Sequence, residues 1–406
     1  MPALTKVLRF LVELQGAVVL GARIDRAIAA IVIQVRRRSH GVARCSTCRR
    51  KMGGEMKPVR CRWRHLDMLR VRTYVEAQIR QGRCPVHGRR WERVPWATPG
   101  AEHTRAFDQM VASLVQVADK SAAQRMFRVT WRTVGRIVTR VVGEHLPANR
   151  LDGLAALGVD EVSYKRGHRY LSVVSCLLTH RVLWVGKGKT AETLGHFFEE
   201  LGPKRRKRIV VVAMDMSGAY TKAVGHWLPQ ADIVFDRFHV VQLLLNAIDE
   251  LRRQEVGKLR GQARMQLKHT RFAFLRNPKN RNPRDLAAIE RVRATNGRLT
   301  RAYQRRVDFE DLWDCENETV ALTFLRRWTR SALLSRLEPL RRVARTIRQH
   351  IDGILGFFRY GITNAVLEGT NNKIKLLIHR AFGFRSTQAL ISMIHLCCSG
   401  ITIQLD

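Results

Sequence analysis

Two aspartates follow apolar segments that have the composition of buried strands. Asp160 closes the run 154–162 (LAALGVDEV), and Asp215 directly follows the continuous apolar run 208–214 (RIVVVAM). Open α/β sheets hold their sites beyond the carboxyl ends of strands, so the two carboxylates can converge there. Carboxylate oxygens suit magnesium, and two such ions about 4 Å apart can activate a water or a 3′-hydroxyl against a phosphodiester. The pattern therefore indicates divalent cations and phosphate chemistry.

Such a site needs a third acid. Glu368, at a predicted helix start within LEGTNNKIK, is the best candidate. Glu161 is expected to point to the opposite face of its strand from Asp160, because side chains alternate along a strand. A purely structural interpretation of the aspartates stays open, in which Asp160 is a strand-end turn residue and Asp215 a neighbour of a helix N-cap.

The segments around these acids predict an α/β core with a mixed sheet. Apolar patterning predicts strands over 154–162, 168–176 and 180–186, followed by a helix over 190–201, a strand over 208–214, a helix over 217–228 and a strand over 231–235. The order β-β-β-α-β-α-β is three meandering strands followed by parallel crossovers, which is the strand order of a ribonuclease-H-like fold. Long amphipathic helices follow without a convincing strand, and they predict an all-helical insertion into this core.

Cysteines near the N-terminus have metal-ligand spacing. Cys45-Ser-Thr-Cys48 and Cys84-Pro-Val-His87 form two knuckles with 35 residues between them. Thiolates and imidazole suit a closed tetrahedral zinc site, which stabilises a small domain whose own core is insufficient. A redox C-x-x-C motif is the alternative, but no βαβ pattern surrounds the pair. Cys61 has no partner knuckle, so we expect a buried thiol there.

The segment 120–142 (KSAAQRMFRVTWRTVGRIVTRVV) has the pattern of a helix-turn-helix. Residues 121–125 predict the first helix and 127–130 the turn, with Thr130 placed to cap a recognition helix that begins at Trp131. Three of its side chains are expected to face a major groove: Arg132, Thr133 and Arg136. An ordinary pair of basic amphipathic helices is the alternative.

The composition points to a polyanionic partner. The 406 residues carry a formal net charge of +39, while 45% are hydrophobic and 26% charged, which is a globular composition. Residues 1–100 hold 22 Lys and Arg against six Asp and Glu, and residues 241–360 hold 26 against 13. A folded surface this basic repels itself unless a polyanion such as double-stranded DNA neutralises it. One basic run is expected to contact phosphates: Lys204, Arg205, Arg206, Lys207 and Arg208.

Membrane and nucleotide-binding classes are disfavoured. No window approaches 18 uninterrupted apolar residues, and the apolar stretch 10–35 contains charges and lacks the features of a signal peptide. The run Gly186-Lys-Gly-Lys-Thr190 ends like a P-loop, but Leu183 stands where the first glycine belongs. The run is also expected to lack a strand–loop–helix setting. We therefore expect neither a membrane partner nor a nucleotide cofactor.

Four runs resemble the transposases of the ISL3 insertion-sequence family: GVDE (158–161), MDMSGAY (214–220), LPQADIVFDRFHV (228–240) and EGTNNKIKLLIHRAFGFRS (368–386). The resemblance extends over nearly the whole chain. It implies a DDE transposase with a ribonuclease-H-like core, a helical insertion before the final Glu and a zinc-ribbon-like N-terminal element. Asp160, Asp215 and Glu368 match the metal-binding acids. Asp236 and His239 match an Asp-x-x-His motif that we expect to position DNA or the site rather than to bind metal.

Two positions depart from the family pattern. Many relatives carry an acid at the end of the second strand, where this chain has Cys176. If that acid were the first metal ligand, this copy would be impaired, but Asp160 is favoured because the first strand carries the first acid in this fold. Most relatives have Cys at the position of His87, an exchange that zinc tolerates.

Together these features predict four regions: 1–100 with the zinc element, 101–150 with the helix-turn-helix, a catalytic core from 151–240 and 361–406, and a helical insertion over 241–360. The expected activity is binding of the terminal inverted repeats of an insertion sequence, with metal-dependent strand cleavage and strand transfer. Two Mg²⁺ or Mn²⁺ ions per site and a structural Zn²⁺ are the expected metals. Lys373, Lys375 and arginines of the insertion are expected to clamp the DNA backbone.

By analogy with the class, the chain is expected to act as a homodimer or higher oligomer on DNA, associated with the nucleoid in a bacterial cytoplasm. The alternative is a non-catalytic, zinc-containing DNA-binding regulator or an inactive domesticated transposase. Such a protein would bind DNA without cutting it. The sequence does not specify the inverted repeat, the target site or the transposition pathway.

Overall fold

The computed structural model describes residues 12, 14–38, 41–165, 167–277, 280–362, 365–381, 383–384 and 386–405. Contacts divide the chain into two compact units, Met1–Pro147 with Arg380–Asp406, and Ala148–His379. The sequence joined 361–406 to the central core, whereas the contacts group the chain from Arg380 onward with the N-terminal unit. Local hydrogen bonds explain this grouping, because the Gln116 side chain donates to the carbonyl oxygens of Leu396 at 2.9 Å and Ile401 at 3.0 Å.

The N-terminal unit contains a five-stranded sheet that the sequence analysis did not predict. Its strands are β1 (Ala17–Asp25), β2 (Ala30–Arg37), β3 (Gly53–Met68), β4 (Val71–Cys84) and β5 (Gly88–Trp91). They lie in the order β1-β2-β4-β3, with β5 paired to β4. The strands β2 and β4 run parallel, and the other pairs are antiparallel. Apolar side chains on the sheet form a core with Trp63 and Trp96, whose rings meet edge to face with centroids 5.8 Å apart.

Three helices follow this sheet in the same unit: α1 (Arg105–Val117), α2 (Lys120–Phe127) and α3 (Trp131–His145). The side chain of Thr130 caps α3 by accepting a hydrogen bond from the amide of Thr133 at 3.1 Å. Arg128 ends α2 in the left-handed conformation, with φ of 52°. The predicted helix, turn, cap and second helix are confirmed.

A second five-stranded sheet forms the centre of the other unit. Its strands are β6 (Ala156–Lys165), β7 (Arg169–Cys176), β8 (Val182–Lys187), β9 (Val211–Met214) and β10 (Asp232–Phe235), with α4 (Ala191–Arg206) and α5 (Gly218–Trp227) between them along the chain. The spatial order is β10-β9-β6-β7-β8. The first three strands in sequence are antiparallel neighbours, whereas β9 and β10 join β6 in parallel. The predicted element order is therefore the observed one.

Buried side chains anchor this sheet to its helices. Leu157 and Val159 of β6 are fully buried in one core together with Phe197 and Phe198 of α4 and Tyr220 of α5. Because β6 alternates its side chains, Gly158 and Asp160 lie on the opposite face of the sheet. A Cβ atom at Gly158 would stand 2.4 Å from a methyl carbon of Leu367. Glycine at this position therefore lets a later helix approach the β6 backbone.

The rest of this unit is helical. Its helices are α6 (Arg237–Lys258), α7 (Gly261–Lys268), α8 (Arg271–Leu275), α9 (Pro283–Thr295), α10 (Gly297–Glu310), α11 (Glu318–Leu334), α12 (Glu338–Gln349), α13 (Ile351–Tyr360) and α14 (Ala365–Arg380). A last helix, α15 (Thr387–Cys398), belongs to the N-terminal unit. Among the described residues, no helix combines the length and the apolar character needed to cross a bilayer.

One expectation about the run 186–190 is wrong. This run connects β8 to α4, so it does have a strand–loop–helix setting. Thr190 serves as the N-cap of α4, and its hydroxyl accepts a hydrogen bond from the amide of Thr193 at 3.1 Å. The argument against a P-loop therefore depends on Leu183, which is a buried residue of β8 and cannot provide the flexible first glycine.

Candidate active site, metal centre and DNA interface

The two aspartates meet because their strands are parallel neighbours. In the register of β6 with β9, Val159 lies opposite Met214. Asp160 and Asp215 each come directly after this last pair, so both carboxylates lie where the two strands part. The strand β6 itself continues to Lys165, so Asp160 does not close its strand as the sequence predicted. The Asp215 charge contributes to raising the pKa of Asp160, and both aspartates contribute to raising the pKa of the buried Tyr220. These effects show that the negative charges are held close together.

Both oxygens of the Asp160 carboxylate are hydrogen-bonded. The amide of Glu161 donates to Oδ1 at 2.7 Å, and the Asn371 side chain donates to Oδ2 at 2.5 Å. Burial raises the pKa of Asp160 to about 6, with the Asp215 charge adding to the shift against these hydrogen bonds. Neutral donors thus orient the Asp160 carboxylate, and its pKa stays raised although the His239 charge opposes the rise.

Asp215 has a similar environment. The amide of Ser217 donates to its Oδ1 at 3.1 Å. Burial raises the pKa of Asp215, and the nearby Glu161 charge adds to this effect, whereas the hydrogen bond and the charges of His239 and Lys189 oppose it. Two partly buried carboxylates with raised pKa values favour a bound proton or a bound cation.

Asp236 and His239 lie at the start of α6, beside the aspartates. The Asp236 carboxylate caps the helix by accepting from the amide of Phe238 at 2.9 Å, and its other oxygen lies 3.2 Å from His239 Nδ1. This hydrogen bond raises the pKa of His239, with further contributions from Asp215 and Asp160. His239 is therefore held by Asp236 within the field of both aspartates.

The residue predicted as the third acid, Glu368, lies on α14. Glu368 is exposed in the first turn of this helix. Leu367, beside it, packs with Ala156 and Ala213 of the sheet, and Asn371 donates to Asp160 one turn later. Residues three apart on a helix share a face, so Glu368 is on the side of α14 that carries the Asn371 contact to Asp160.

Three residues that the sequence analysis did not assign to the site belong to it. Asn371 binds Asp160, as described above. Glu161 and Lys189 form an ion pair at 3.2 Å, and the Lys189 ammonium lies 3.9 Å from the centroid of the Tyr170 ring. Glu161 and Lys189 line a groove of about 460 Å³ together with Asp215 and His239. As expected from alternation along β6, the Glu161 side chain points away from the face of Asp160. It lies in the same groove as Asp215, which follows the neighbouring strand β9.

Cys176 lies away from the paired carboxylates. In the antiparallel register of β6 with β7, Asp160 lies opposite Val173, whereas Cys176 lies opposite Leu157, near the start of β6. Three residues along a strand span about 10 Å. An acid at the Cys176 position would therefore stand at the other end of β6, which agrees with the preference for Asp160.

The four N-terminal ligand residues converge. The Sγ atoms of Cys45, Cys48 and Cys84 and a ring nitrogen of His87 all lie within 4.8 Å of one another. The Cys48 and Cys84 sulfurs are 3.5 Å apart, and Cys84 Sγ is 3.7 Å from His87 Nδ1. A tetrahedral site with metal–sulfur bonds of about 2.3 Å has edges of about 3.8 Å, so these atoms have the spacing needed to hold a metal ion.

The thiols of the cluster influence one another, so that the pKa of Cys45 is lowered while that of Cys48 is raised. Burial would raise the pKa of Cys45, but amide hydrogen bonds from Cys48 and Thr47 outweigh it and, with the neighbouring thiols, lower that pKa to about 6. A thiol with a lowered pKa supplies the thiolate form that binds metal. Cys61 lies outside the cluster, half-buried against the core of the N-terminal sheet.

The helix-turn-helix presents some of the expected side chains. Arg132 and Arg136 are exposed on α3, and Arg136 forms an ion pair with Glu102 at 3.5 Å. Thr133 differs from the expectation, because it is buried and its hydroxyl lies 2.8 Å from that of Thr130. The residue closes the helix cap and is not free to read a base.

The basic run 204–208 is divided in two by its contacts. Its first three residues form the last turn of α4 after a break at Gly202, where φ is 76°, and Lys207 is the C-cap of this helix. Arg205 pairs with Asp152 at 2.6 Å, and the Arg206 guanidinium lies 4.7 Å from the centroid of the Trp227 ring. The other side chains of the run are exposed, as are two lysines on α14: Lys204, Lys207, Arg208, Lys373 and Lys375.

Comparison with known proteins decides the family. Residues 157–394 match a family model described as a transposase, and residues 92–142 match a model described as the helix-turn-helix domain of transposase family ISL3. The transposase for insertion sequence element IS1557 from Mycobacterium tuberculosis is 34% identical over 397 residues, covering 92% of this chain and 89% of that protein. The chain belongs to the ISL3 family of transposases. The transposase for element IS1001 from Bordetella parapertussis is 30% identical over 331 residues, covering 80% of this chain and 82% of its own length.

The raised pKa of Asp160 in this transposase predicts a pH-dependent cost in stability. Because the folded-state pKa of about 6 exceeds the ordinary value of 3.8, the protonated carboxyl favours folding at low pH, and this contribution is lost as pH rises through 6. In EDTA we expect Asp160→Asn to raise the melting temperature by about 3 °C at about pH 7.5 and by little at about pH 4.5. Calorimetry measures both values. Asp152→Asn, at an exposed ion pair, is the control, and an Asp160→Asn protein that melts no higher than wild type at either pH contradicts the assignment.

The Asn371 contact gives a second prediction. Asn371→Ala leaves Asp160 Oδ2 without its donor, and hydrogen bonds to charged groups contribute about 1.5–3 kcal/mol. We expect this variant to lower the free energy of unfolding and to weaken binding of Mn²⁺, whereas Asn372→Ala, at the exposed neighbouring residue, changes neither. In an Asp160→Asn background the cost of Asn371→Ala should shrink. Equal effects of the two alanine variants would show that Asn371 does not act through Asp160.

Proposed function

We propose that this transposase cuts and joins DNA strands at a site formed by Asp160, Asp215 and Glu368. The observation that carries the proposal is the convergence of Asp160 and Asp215, each of which directly follows a residue of the last pair that joins β6 to β9 in parallel. The order β10-β9-β6-β7-β8, with three antiparallel strands followed by two parallel ones, supports a ribonuclease-H-like core. The helices between α6 and α13 then form an insertion that precedes the helix of Glu368.

The side chains present fit divalent cations. Two carboxylates whose pKa values stay raised despite the charges of His239 and Lys189 offer oxygen ligands, and magnesium or manganese prefers such ligands. Two ions held there would supply the Lewis acidity that activates a water or a 3′-hydroxyl and stabilises the leaving oxygen. The Glu161 amide and Asn371 orient Asp160, and Asp236 orients His239 beside the groove.

DNA binding is assigned to exposed basic side chains. Arg132 and Arg136 project from the recognition helix, where they can reach base edges or phosphates of the terminal inverted repeats. The other candidates for phosphate contact are Lys204, Lys207, Arg208, Lys373 and Lys375. Arg205 and Arg206 make intramolecular contacts, so we expect them to support the fold of α4 instead.

We assign a structural zinc ion to Cys45, Cys48, Cys84 and His87, since three thiolates and one imidazole at tetrahedral spacing are a typical zinc set. Joining two element ends requires two recognition units, so we infer a homodimer or higher oligomer on DNA. The DNA substrate implies a nucleoid location in the bacterial cytoplasm.

The catalytic assignment is tested by neutral replacements. We expect Asp160→Asn, Asp215→Asn and Glu368→Gln each to reduce Mg²⁺-dependent cleavage and strand transfer by at least about 10³-fold, since each removes a carboxylate charge from the site. The affinity for a labelled element end should stay within about twofold, since none of these residues belongs to the recognition helix. A gel assay with an element end and a target duplex measures both steps. Glu199→Gln, at an exposed acid of α4, is the control.

Two results would contradict this assignment. A wild-type rate in any of the three variants excludes that residue as a ligand. End binding without any metal-dependent nicking by the wild-type chain would instead favour the DNA-binding regulator.

The zinc assignment gives a separate prediction. Cys48→Ser removes one of four ligands, so we expect the bound zinc content to fall and end-specific binding to weaken by about tenfold or more as the N-terminal unit loosens. Cys61→Ser, at a thiol outside the cluster, should keep both. Atomic absorption measures the metal, and unchanged zinc in Cys48→Ser would refute the ligand set.

A further inference from the structure

The side chains at the tip of the β3–β4 hairpin do not pack against the rest of the sheet. Leu69 is 99% exposed there, and it adopts a positive φ of 57° that is unusual for a branched apolar residue. Arg70 and Arg72 beside it are also exposed. A fully exposed leucine contributes nothing to the core of the sheet. Together with Arg70 and Arg72, it forms a surface that suits a partner with both negative charge and an apolar edge.

The tip is tied to the turn of the helix-turn-helix. Arg128, in that turn, donates from Nη2 to the carbonyl oxygen of Arg70 at 3.0 Å and forms an ion pair with Asp67. Asp67 also pairs with Arg64 of β3 at 2.5 Å. These contacts fix the hairpin tip against residues that immediately precede the recognition helix α3.

This placement brings the tip next to the surface that faces DNA. In helix-turn-helix proteins the N-terminal end of the recognition helix enters the major groove. The turn at Arg128 lies only three residues before Trp131, the first residue of α3. The charges of Arg70, Arg72 and Arg132 therefore lie on adjoining elements, while Asp67, the acid nearby, is occupied by Arg64 and Arg128.

We propose that the β3–β4 tip is a second DNA contact, which enters the groove next to the one occupied by α3. Arg70 and Arg72 pair with phosphates of that groove, and Leu69 packs against sugar and base edges. Small apolar side chains serve this purpose in minor grooves, where they press against or between base steps. The inference rests on the proposed docking of α3 and extends the recognition surface beyond the helix-turn-helix.

The hairpin offers a variant that removes the contact without unfolding the turn. Met68 pairs with Val71, and the Met68 amide donates to the Thr73 hydroxyl at 3.1 Å, so the turn is held from outside residues 69 and 70. Asparagine tolerates a positive φ such as that of Leu69, and glycine accepts the backbone conformation of any residue, including that of Arg70. The double variant Leu69→Asn, Arg70→Gly therefore keeps the hairpin while deleting the leucine and one arginine. The Arg70 carbonyl that receives Arg128 is a backbone group and persists in this variant.

The test uses the full chain and a duplex of about three helical turns that carries the terminal inverted repeat of the element encoding it. We expect the double variant to bind about tenfold more weakly and to lower the slope of log affinity against log salt by about one, as for one lost phosphate contact. Adding Arg72→Ala should lower the slope by about one more. Hydroxyl-radical footprinting should show lost protection in the groove beside the main footprint.

A matched control lies in the other compact unit. Leu178 is 71% exposed at the tip of the β7–β8 hairpin, close to the exposed Arg181. The double variant Leu178→Asn, Arg181→Ala should keep the affinity, the salt slope and the footprint. Melting temperatures of all variants establish that the fold is retained.

Arg132→Ala separates failure of this inference from failure of the proposed docking. If Arg132→Ala weakens binding while the Leu69→Asn, Arg70→Gly protein keeps wild-type affinity, salt slope and footprint, the tip does not contact DNA. If neither variant changes binding, the docking of α3 fails, and the inference about the tip fails with it. Weaker binding with a shortened footprint in the tip variant supports the inference.

Discussion

The structure depends on one electrostatic constraint: two partly buried carboxylates, Asp160 and Asp215, are held together where the parallel pairing of β6 and β9 ends. Pairing of β6 with β9 fixes the positions of Asp160 and Asp215 through backbone hydrogen bonds. Their register cannot shift by one residue without moving the buried side chain of Leu157 or Val212 to the opposite face of the sheet. Burial raises the pKa of both carboxyl groups. The fold therefore maintains an arrangement that is unfavourable alone and becomes favourable when a cation binds, as a transposase that uses divalent metal requires.

Neighbouring elements hold this arrangement without neutralising it. The Glu161 amide and the Asn371 carboxamide bind the Asp160 oxygens as neutral donors, so they orient the carboxylate and leave its charge available to a cation. Gly158 permits the close approach of Leu367, which brings the helix of Glu368 against the same face of the sheet. Lys189 is the nearby cation, and its charge is shared with Glu161 and the Tyr170 ring. The site thus combines acids that are fixed by the sheet with one lysine whose charge is already paired with Glu161.

Local patterns in the sequence were sufficient for much of this account. The run 208–214 predicted a buried strand, Thr130 predicted a helix cap, and the knuckles at Cys45 and Cys84 predicted a cluster, because in each case the signal lies within a few residues. The N-terminal sheet was missed because one face of β3 is basic: Arg62 and Arg64 alternate with Trp63 and pack over Tyr74, so the run has too few apolar residues to predict a strand. Asn371 and Lys189 were missed because their roles depend on contacts distant in sequence. Thr133 was assigned to DNA because helical spacing does not show that a cap will bury it.

The most direct measurement of the central claim is anomalous diffraction from crystals of the transposase grown with Mn²⁺ and a DNA duplex that carries an element end. The account predicts manganese signals at about 2.1 Å from carboxylate oxygens of Asp160 and Asp215, with the Glu368 carboxylate turned toward the same ions. Manganese bound elsewhere, or a Glu368 side chain directed away from both aspartates in the DNA-bound state, would contradict it.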